Sequence, residues 1–119
     1  MSAGKVARGL RARVGRMQVM NATERQYAEW LGLEKRRGAV LWFAFEAIKL
    51  RLAKRTHYTP DFFVLTHDLR LECHEVKGFW REDARVKIKV ASETYPFRFK
   101  AVTKRPKGDG GGWEFEVFE

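Results

Sequence analysis

The chain has 119 residues and a formal net charge of +9, and hydrophobic residues make up 45% of it. This length suits one domain with its own apolar core and leaves too few residues for two. The single cysteine, Cys73, excludes an internal disulfide and lacks the Cys and His partners that a structural zinc site requires. No apolar run approaches the roughly 18 residues of a membrane span and no signal-peptide pattern opens the chain, so we expect a cytoplasmic protein with no membrane contact.

Positive charge is concentrated in residues 1–20, which we call the basic arm. No acidic residue occurs before Glu24, whereas Lys and Arg recur through the arm. Such a segment favours a polyanionic partner, and we expect it to order on phosphates or on a partner subunit. A disordered tail that only solubilises the chain is the alternative. The candidates for phosphate contact in the arm are Arg8, Arg11, Arg13 and Arg16.

A first helix is predicted over residues 22–37. Asn21 and Glu24 have the spacing of a capping box, in which each side chain accepts a hydrogen bond from the backbone N–H of the other residue. Basic residues followed by Gly38 are typical of a helix C-terminus. The apolar residues that this helix would turn toward the core are Tyr27, Trp30 and Leu31.

Extended segments follow the first helix. Residues 40–45 are a dense apolar run and residues 48–52 alternate, which indicates either one bent strand or two short ones. Residues 61–66 and 71–77 are rich in aliphatic and aromatic residues, are separated by a polar turn, and complete a meander. The basic residues of the alternating segment, which would face solvent or a nucleic acid, are Lys49 and Arg51.

The sequence pattern of the second half of the chain predicts a helix and two strands. Apolar residues at positions 84, 88, 91 and 95 have helical spacing and follow two acidic residues, so residues 81–95 predict a helix. The alternation at residues 86–90 would favour a strand, but it accounts for less of the segment. Pro96 ends the helix, and a right-handed crossover would place residues 97–102 parallel to the strand at 71–77. A glycine-rich turn then leads to a short last strand.

The predicted hairpin at residues 61–77 brings three charged side chains onto one face. If the turn is centred on Asp68, residues equally far from it lie opposite one another, so Asp61 faces Glu75 with their Cβ atoms roughly 4.5–5.5 Å apart. Side chains alternate along a strand, and Lys77 therefore shares the face of Glu75. Two carboxylates this close repel each other unless a cation or a shared proton lies between them.

Mg²⁺ suits this arrangement because it prefers hard oxygen ligands, typically one or two carboxylates with water and phosphate. The ion would lower the pKa of a bound water and stabilise charge that develops on a phosphate, while Lys77 would orient the water. The pattern therefore predicts a metal-dependent site for phosphodiester hydrolysis. An E-x-K triplet alone occurs by chance in many basic proteins, so the prediction depends on Pro60 and Asp61 on the facing strand.

The order of elements and these motifs resemble the PD-(D/E)xK nuclease superfamily. Its shared α/β core has the restriction-endonuclease-like order α-β-β-β-α-β, with a mixed sheet flanked by helices. The motifs are similar to those of small phage- and prophage-encoded nucleases, which are themselves similar to junction-resolving and transposon-end-cleaving enzymes. The resemblance covers residues 21–119, which would form the nuclease domain beyond the basic arm. The motifs are Tyr58-Thr59-Pro60-Asp61-Phe62, His74-Glu75-Val76-Lys77-Gly78-Phe79-Trp80-Arg81-Glu82-Asp83-Ala84-Arg85-Val86-Lys87 and Tyr95-Pro96-Phe97.

The resemblance implies a role for each site residue. Asp61 and Glu75 would ligate Mg²⁺ or Mn²⁺ together with the backbone carbonyl of Val76. Lys77 would position the attacking water. The superfamily often adds a glutamate from the first helix, a role that Glu24 fits best, although capping alone would also account for this residue. Weaker candidates for that role are Glu29 and Glu46.

These features together predict a metal-dependent DNA endonuclease of a phage or prophage, selective for branched or four-way-junction (Holliday junction) DNA in recombination or genome processing. Junction cleavage needs two coordinated cuts, so a homodimer is expected. The alternatives are a nicking or single-strand nuclease that acts as a monomer, and a non-catalytic nucleic-acid-binding module with a nuclease fold. Beyond the strand with Glu75, the expected phosphate contacts, or else a solvated helix face, are Arg81, Arg85 and Lys87.

Overall fold

The computed structural model describes residues 19–78 and 81–119, which contain two helices, a mixed five-stranded sheet and a separate two-stranded sheet. None of the helices in these residues is long and apolar enough to span a membrane. The helices are α1 (Ala22–Arg36) and α2 (Glu82–Thr94). The strands are β1 (Val40–Phe45), β2 (Leu50–Ala53), β3 (Thr56–Tyr58), β4 (Phe62–Thr66), β5 (Leu71–Lys77), β6 (Arg98–Lys104) and β7 (Trp113–Phe118).

The larger sheet has the strand order β1-β4-β5-β6-β7. Strand β4 pairs antiparallel with both β1 and β5, and β7 pairs antiparallel with β6. Strands β5 and β6 are parallel and are connected through α2. The predicted α/β class and the parallel placement of the strand after α2 are therefore confirmed.

The register of the β4–β5 hairpin follows the sequence pattern. Phe62 lies opposite His74, and Leu65 lies opposite Leu71, as a turn centred on Asp68 requires. A slip of one residue would turn every side chain of β5 to the other face of the sheet, so this register decides which residues are buried together.

The chain between β1 and β4 departs from the predicted meander. Strands β2 and β3 pair with each other in a separate antiparallel sheet, and β1 pairs directly with β4. The placement of residues 48–52 in the meander was therefore wrong, and β3 was not predicted. The physical reason is tertiary: Leu50 and Tyr58 are buried against Ile88 of α2.

Two apolar clusters cover the two faces of the larger sheet. Helix α1 contributes Tyr27 and Leu31 to the first cluster, where they pack with Phe62, Val64 and Val76. The second cluster joins α2 to the β2–β3 hairpin. Its buried residues, which include two of the apolar positions predicted for the helix, are Leu50, Tyr58, Cys73, Ile88, Ala91 and Phe99. The helical interpretation of residues 81–95 is therefore confirmed.

The predicted capping box at the start of α1 is present. The Glu24 N–H donates to Asn21 Oδ1 at 2.8 Å, and the Asn21 N–H donates to Glu24 Oε1 at 2.9 Å. These bonds satisfy two backbone donors that would otherwise lack a partner at the helix end.

A buried polar network links α1 to the centre of β5. The oxygen of the Tyr27 hydroxyl lies 2.7 Å from His74 Nδ1, and His74 Nε2 lies 2.8 Å from Glu72 Oε1. A carboxylate only accepts hydrogen bonds, so Nε2 carries the proton and Nδ1 accepts from Tyr27. Burial lowers the pKa of His74, which agrees with this neutral tautomer.

The negative charge in this network belongs to Glu72. Burial acts to raise the pKa of Glu72, but the His74 hydrogen bond and the charge of Lys100 outweigh burial and hold the pKa at about 2. The Lys100 Nζ lies 3.1 Å from Glu72 Oε1, and Arg98 Nη1 lies 3.4 Å from Oε2. The buried carboxylate is therefore compensated on both oxygens.

We expect Tyr27→Phe to destabilise the fold by about 1–3 kcal/mol, because it leaves the buried Nδ1 of His74 without a donor. Urea denaturation would measure the loss. Tyr95→Phe is the matched control, since its hydroxyl donates at 2.6 Å to the Arg51 carbonyl in an exposed setting where water can replace it. Equal losses in the two variants would contradict this account of the network.

Candidate active site

The candidate site lies where β5 ends, beside the chain segment that enters β4. Glu75 and Lys77 extend from the same face of β5, and the Lys77 Nζ lies 3.2 Å from Glu75 Oε2. The backbone nitrogen of Asp61 lies 3.3 Å from Glu75 Oε1. The structure therefore brings together the three charged residues on which the sequence prediction depends.

Backbone contacts fix the orientation of Asp61. The Val76 N–H donates to Asp61 Oδ2 at 2.8 Å, and the Glu46 N–H donates to the Asp61 carbonyl at 2.8 Å. The N–H and C=O groups of one residue in an extended strand point to the same edge of that strand. The Val76 carbonyl is therefore directed to the same side of β5 as its N–H, which is the side of Asp61.

Tyr58 is a site residue to which the sequence prediction gave no role. Its buried hydroxyl donates to Glu75 Oε1 at 2.9 Å. Burial and the charge of Glu75 raise the pKa of Tyr58, so the phenol keeps its proton and acts as a donor. Proximity to Asp61 in the sequence was the available signal, but the contact exists only because the β2–β3 hairpin folds back over α2.

The two carboxylates are held in an electrostatically unfavourable position. Asp61 and Glu75 are only 7% and 8% exposed. Burial raises the pKa of Asp61, and the charge of Glu75 raises it further. Burial also raises the pKa of Glu75, although Lys77 and Tyr58 act in the opposite direction. In the absence of a bound cation, the pair therefore favours a retained proton.

Lys77 is a cation at neutral pH. Burial acts to lower its pKa, but the charges of Glu75 and Asp61 outweigh burial and raise the pKa above the ordinary lysine value. A protonated ammonium can donate hydrogen bonds and stabilise negative charge, but it cannot accept a proton. Its chemistry here is orientation and charge stabilisation.

Two further glutamates lie within electrostatic reach of this pair. The charge of Glu24 adds to the effects of burial and Glu75 in raising the pKa of Asp61, although its side chain is engaged in the helix cap. Burial raises the pKa of Glu46, and the charges of Glu24 and Glu75 raise it further. Glu29 is exposed on α1 and lies beside Leu33.

The donor groups suit a hard divalent cation that keeps part of its water shell. Within residues 19–78 and 81–119, no group of three or more His, Cys, Asp or Glu side chains is close enough to hold a metal ion. Two carboxylates and one backbone carbonyl are nevertheless the kind of protein contribution that Mg²⁺ takes when water and phosphate complete its shell. Asp61, Glu75 and Val76 therefore fit such an ion.

An open cleft of about 300 Å³ borders the site between the β2–β3 hairpin and α2. Lys87 lines this cleft, and Arg81 lies with Lys77 around an adjoining opening. Lys87 therefore shares a cleft with Glu75, and Arg81 shares an opening with Lys77, as a phosphate-binding role would require. The residues that line the cleft are His57, Tyr58, Thr59, Glu75, Lys77, Asp83, Ala84, Lys87 and Ile88.

Arg85 has a different environment from Arg81 and Lys87. Its guanidinium forms two hydrogen bonds to Glu116, at 2.6 and 2.7 Å, and lies 5.5 Å from the centre of the Phe118 ring. In this conformation, the Arg85 side chain links α2 to β7. The predicted arm contacts, which lie outside the described residues, are Arg8, Arg11, Arg13 and Arg16.

We expect Asp61→Asn to stabilise the metal-free protein by about 1–2 kcal/mol at about pH 8. The amide oxygen can still accept from the Val76 N–H, while the buried charge is gone. A raised carboxyl pKa means that the folded state binds more protons than the unfolded chain above about pH 4, so wild-type stability falls as pH rises through the folded pKa.

Thermal unfolding from about pH 5 to about pH 8 would test this expectation, because the gain should grow with pH. Asp68→Asn is the control, since its pKa is lowered by the Thr66 hydrogen bond and the substitution removes no unfavourable charge. A less stable Asp61→Asn protein at the upper end of this range would contradict the expectation.

The site as a whole consists of two buried carboxylates, a protonated lysine and a tyrosine donor at the edge of an open cleft. Comparisons of the chain with protein families, with curated proteins and with solved structures found no match.

Proposed function

We propose that the chain is a Mg²⁺-dependent endodeoxyribonuclease that hydrolyses phosphodiester bonds of DNA. Its active site would be formed by Asp61, Glu75 and Lys77. The observation that supports this function best is the buried carboxylate pair with an ammonium 3.2 Å from Glu75 Oε2. Such a pair destabilises a fold when both carboxylates are ionised, unless a proton is retained or a cation is bound. Its position beside a cleft that Lys87 lines favours a phosphate-containing substrate.

The chain order of the elements also supports the proposal. Without the β2–β3 hairpin, the order from α1 to β6 is helix, three antiparallel strands, helix and a parallel strand. We propose that this order corresponds to the restriction-endonuclease-like core, in which the paired motifs lie on the second and third strands. In this chain Asp61 precedes the second of these strands, and Glu75 lies on the third.

Each residue of the candidate site has a distinct part in the proposed reaction. Asp61, Glu75 and the Val76 carbonyl would hold the ion, which supplies Lewis acidity and a bound water of lowered pKa. Lys77 would orient the attacking water and stabilise charge on the phosphate. Tyr58 fixes the rotamer of Glu75, and the Val76 N–H fixes that of Asp61.

The preferred DNA form is the next part of the proposal. We propose branched or four-way-junction DNA, in phage recombination or genome processing, with a homodimer supplying the two cuts. A monomeric nicking or single-strand nuclease is the second candidate, and a silent nucleic-acid-binding module is the third. Mn²⁺ would replace Mg²⁺ in either enzyme. Sedimentation under cleavage conditions separates the first two candidates.

We expect Glu75→Gln and Lys77→Met to lower the cleavage rate by about 10²-fold or more, because each removes a group that stabilises the transition state. Matched linear duplex, single-stranded, flap and four-way-junction DNA would serve as substrates for the full chain with Mg²⁺ or Mn²⁺. Glu114→Gln is the control, since it changes the same side chain on the exposed face of β7.

Junction-selective cutting that both site variants lose would support the resolving enzyme. Cutting of single strands or plain duplex would retain the nuclease and reject the junction preference. DNA binding without cleavage of any substrate by the wild type would reject the enzyme and favour the binding module.

Tyr58→Phe should lower the cleavage rate about tenfold and leave DNA affinity unchanged, because the phenol positions Glu75 and contacts no phosphate in this proposal. Single-turnover rates and fluorescence anisotropy would measure the two effects separately. An equal loss in affinity would show that Tyr58 contacts the substrate itself.

A further inference from the structure

The β2–β3 hairpin carries positive charge that the candidate site does not use. No Asp or Glu occurs between Glu46 and Asp61. The hairpin cations are exposed, and within the described residues they take part in none of the ion pairs. We call this element the basic hairpin, and its cations are Lys49, Arg51, Lys54 and Arg55.

The basic hairpin has two faces of opposite character. Leu50 and Tyr58 pair across the ribbon and are buried against α2. Arg51 and His57 form the next pair and are exposed on the opposite face. Lys49 lies directly before β2 and is also exposed. One face therefore anchors the ribbon, and the other presents cations.

The basic hairpin is also directly connected to the candidate site. The Tyr58 hydroxyl donates to Glu75, and His57 and Thr59 line the cleft. Only Thr59 and Pro60 separate the end of β3 from Asp61. A ligand bound along the outer face of the ribbon would therefore continue toward the carboxylates.

We propose that the basic hairpin is a ribbon that binds duplex DNA next to the phosphate to be cut. A two-stranded ribbon fits the B-DNA major groove, which is about 12 Å wide, whereas the major groove of A-form RNA is too narrow and deep. Single strands are bound largely by stacking on aromatic rings. The outer face carries His57 but no Phe, Tyr or Trp, because Tyr58 points inward. The proposal rests on the proposed function only for the position of the cut.

The test compares two double variants that remove equal charge. Lys49→Gln with Arg51→Gln alters the ribbon, while Lys35→Gln with Arg36→Gln alters exposed cations in the last turn of α1. Both are made in the full chain with Glu75→Gln, so that bound DNA stays intact. The probe is a labelled DNA duplex of about 20 base pairs, measured by anisotropy from about 50 to about 200 mM salt.

We expect the ribbon variant to bind roughly tenfold or more weakly, and the slope of log affinity against log salt to fall by about 2. The α1 variant should lose less than about threefold. Equal losses would mean that only net charge matters and would overturn the proposal. Duplex RNA or single-stranded DNA that binds as tightly, with the same loss in the ribbon variant, would also overturn it.

Two checks keep the outcome interpretable. Unfolding temperatures would verify that the ribbon variant folds, and Lys54→Gln with Arg55→Gln at the tip provides a second ribbon variant with the same expected loss. If the wild type cuts no DNA but the ribbon variants selectively lose DNA binding, the proposed enzyme is rejected and the DNA-binding ribbon is retained. If the wild type cleaves DNA and both ribbon variants bind it with undiminished affinity, the proposed enzyme is retained and the DNA-binding ribbon is rejected.

Discussion

The register of β5 against β4 is the constraint on which the rest of the structure depends. It places Glu72, His74 and Val76 toward α1, and it places Glu75 and Lys77 toward α2. The hydrogen bond from the Val76 N–H to Asp61 extends this alignment beyond the last paired residues of β4. Because side chains alternate between the two faces of a strand, a change of register would displace the core residues and the candidate-site residues of β5 together.

The two faces of β5 have opposite electrostatic balance. On the α1 face, Glu72 is buried but receives contacts from His74 and Lys100, and its pKa is low. On the α2 face, Asp61 and Glu75 are buried and have raised pKa values, and the Lys77 ammonium lies 3.2 Å from Glu75 Oε2. The first face has the satisfied polar contacts of a structural core. The second holds two buried carboxyl groups whose ionised forms are disfavoured, as functional sites often do.

The β2–β3 hairpin connects that charged site to the protein surface. Its inner face packs on α2 and supplies the hydroxyl that holds Glu75, while its outer face presents exposed cations. In the proposed enzyme, this attachment would let binding energy on the surface contribute to the position of a substrate at the carboxylates. In the proposed enzyme, the same short element would therefore serve both binding and catalysis.

The sequence by itself determined the features that depend on neighbouring residues. The capping box fixed the start of α1, helical spacing identified α2, and the polar turn around Asp68 set the register that brings Asp61 to Glu75. These predictions succeeded because caps, periodicity and short turns are local. The roles of Asp61, Glu75 and Lys77 in hydrolysis remain a proposal.

Only the tertiary structure decided the contacts between distant segments. Strand β3 has three residues, which is too short a segment to show a sequence pattern. The hairpin exists because Leu50 and Tyr58 are buried against α2. The bond from Tyr58 to Glu75 and the pairing of Arg85 with Glu116 follow from the same packing of distant segments. Local propensity cannot specify such partners, because their proximity is created by burial of the whole core.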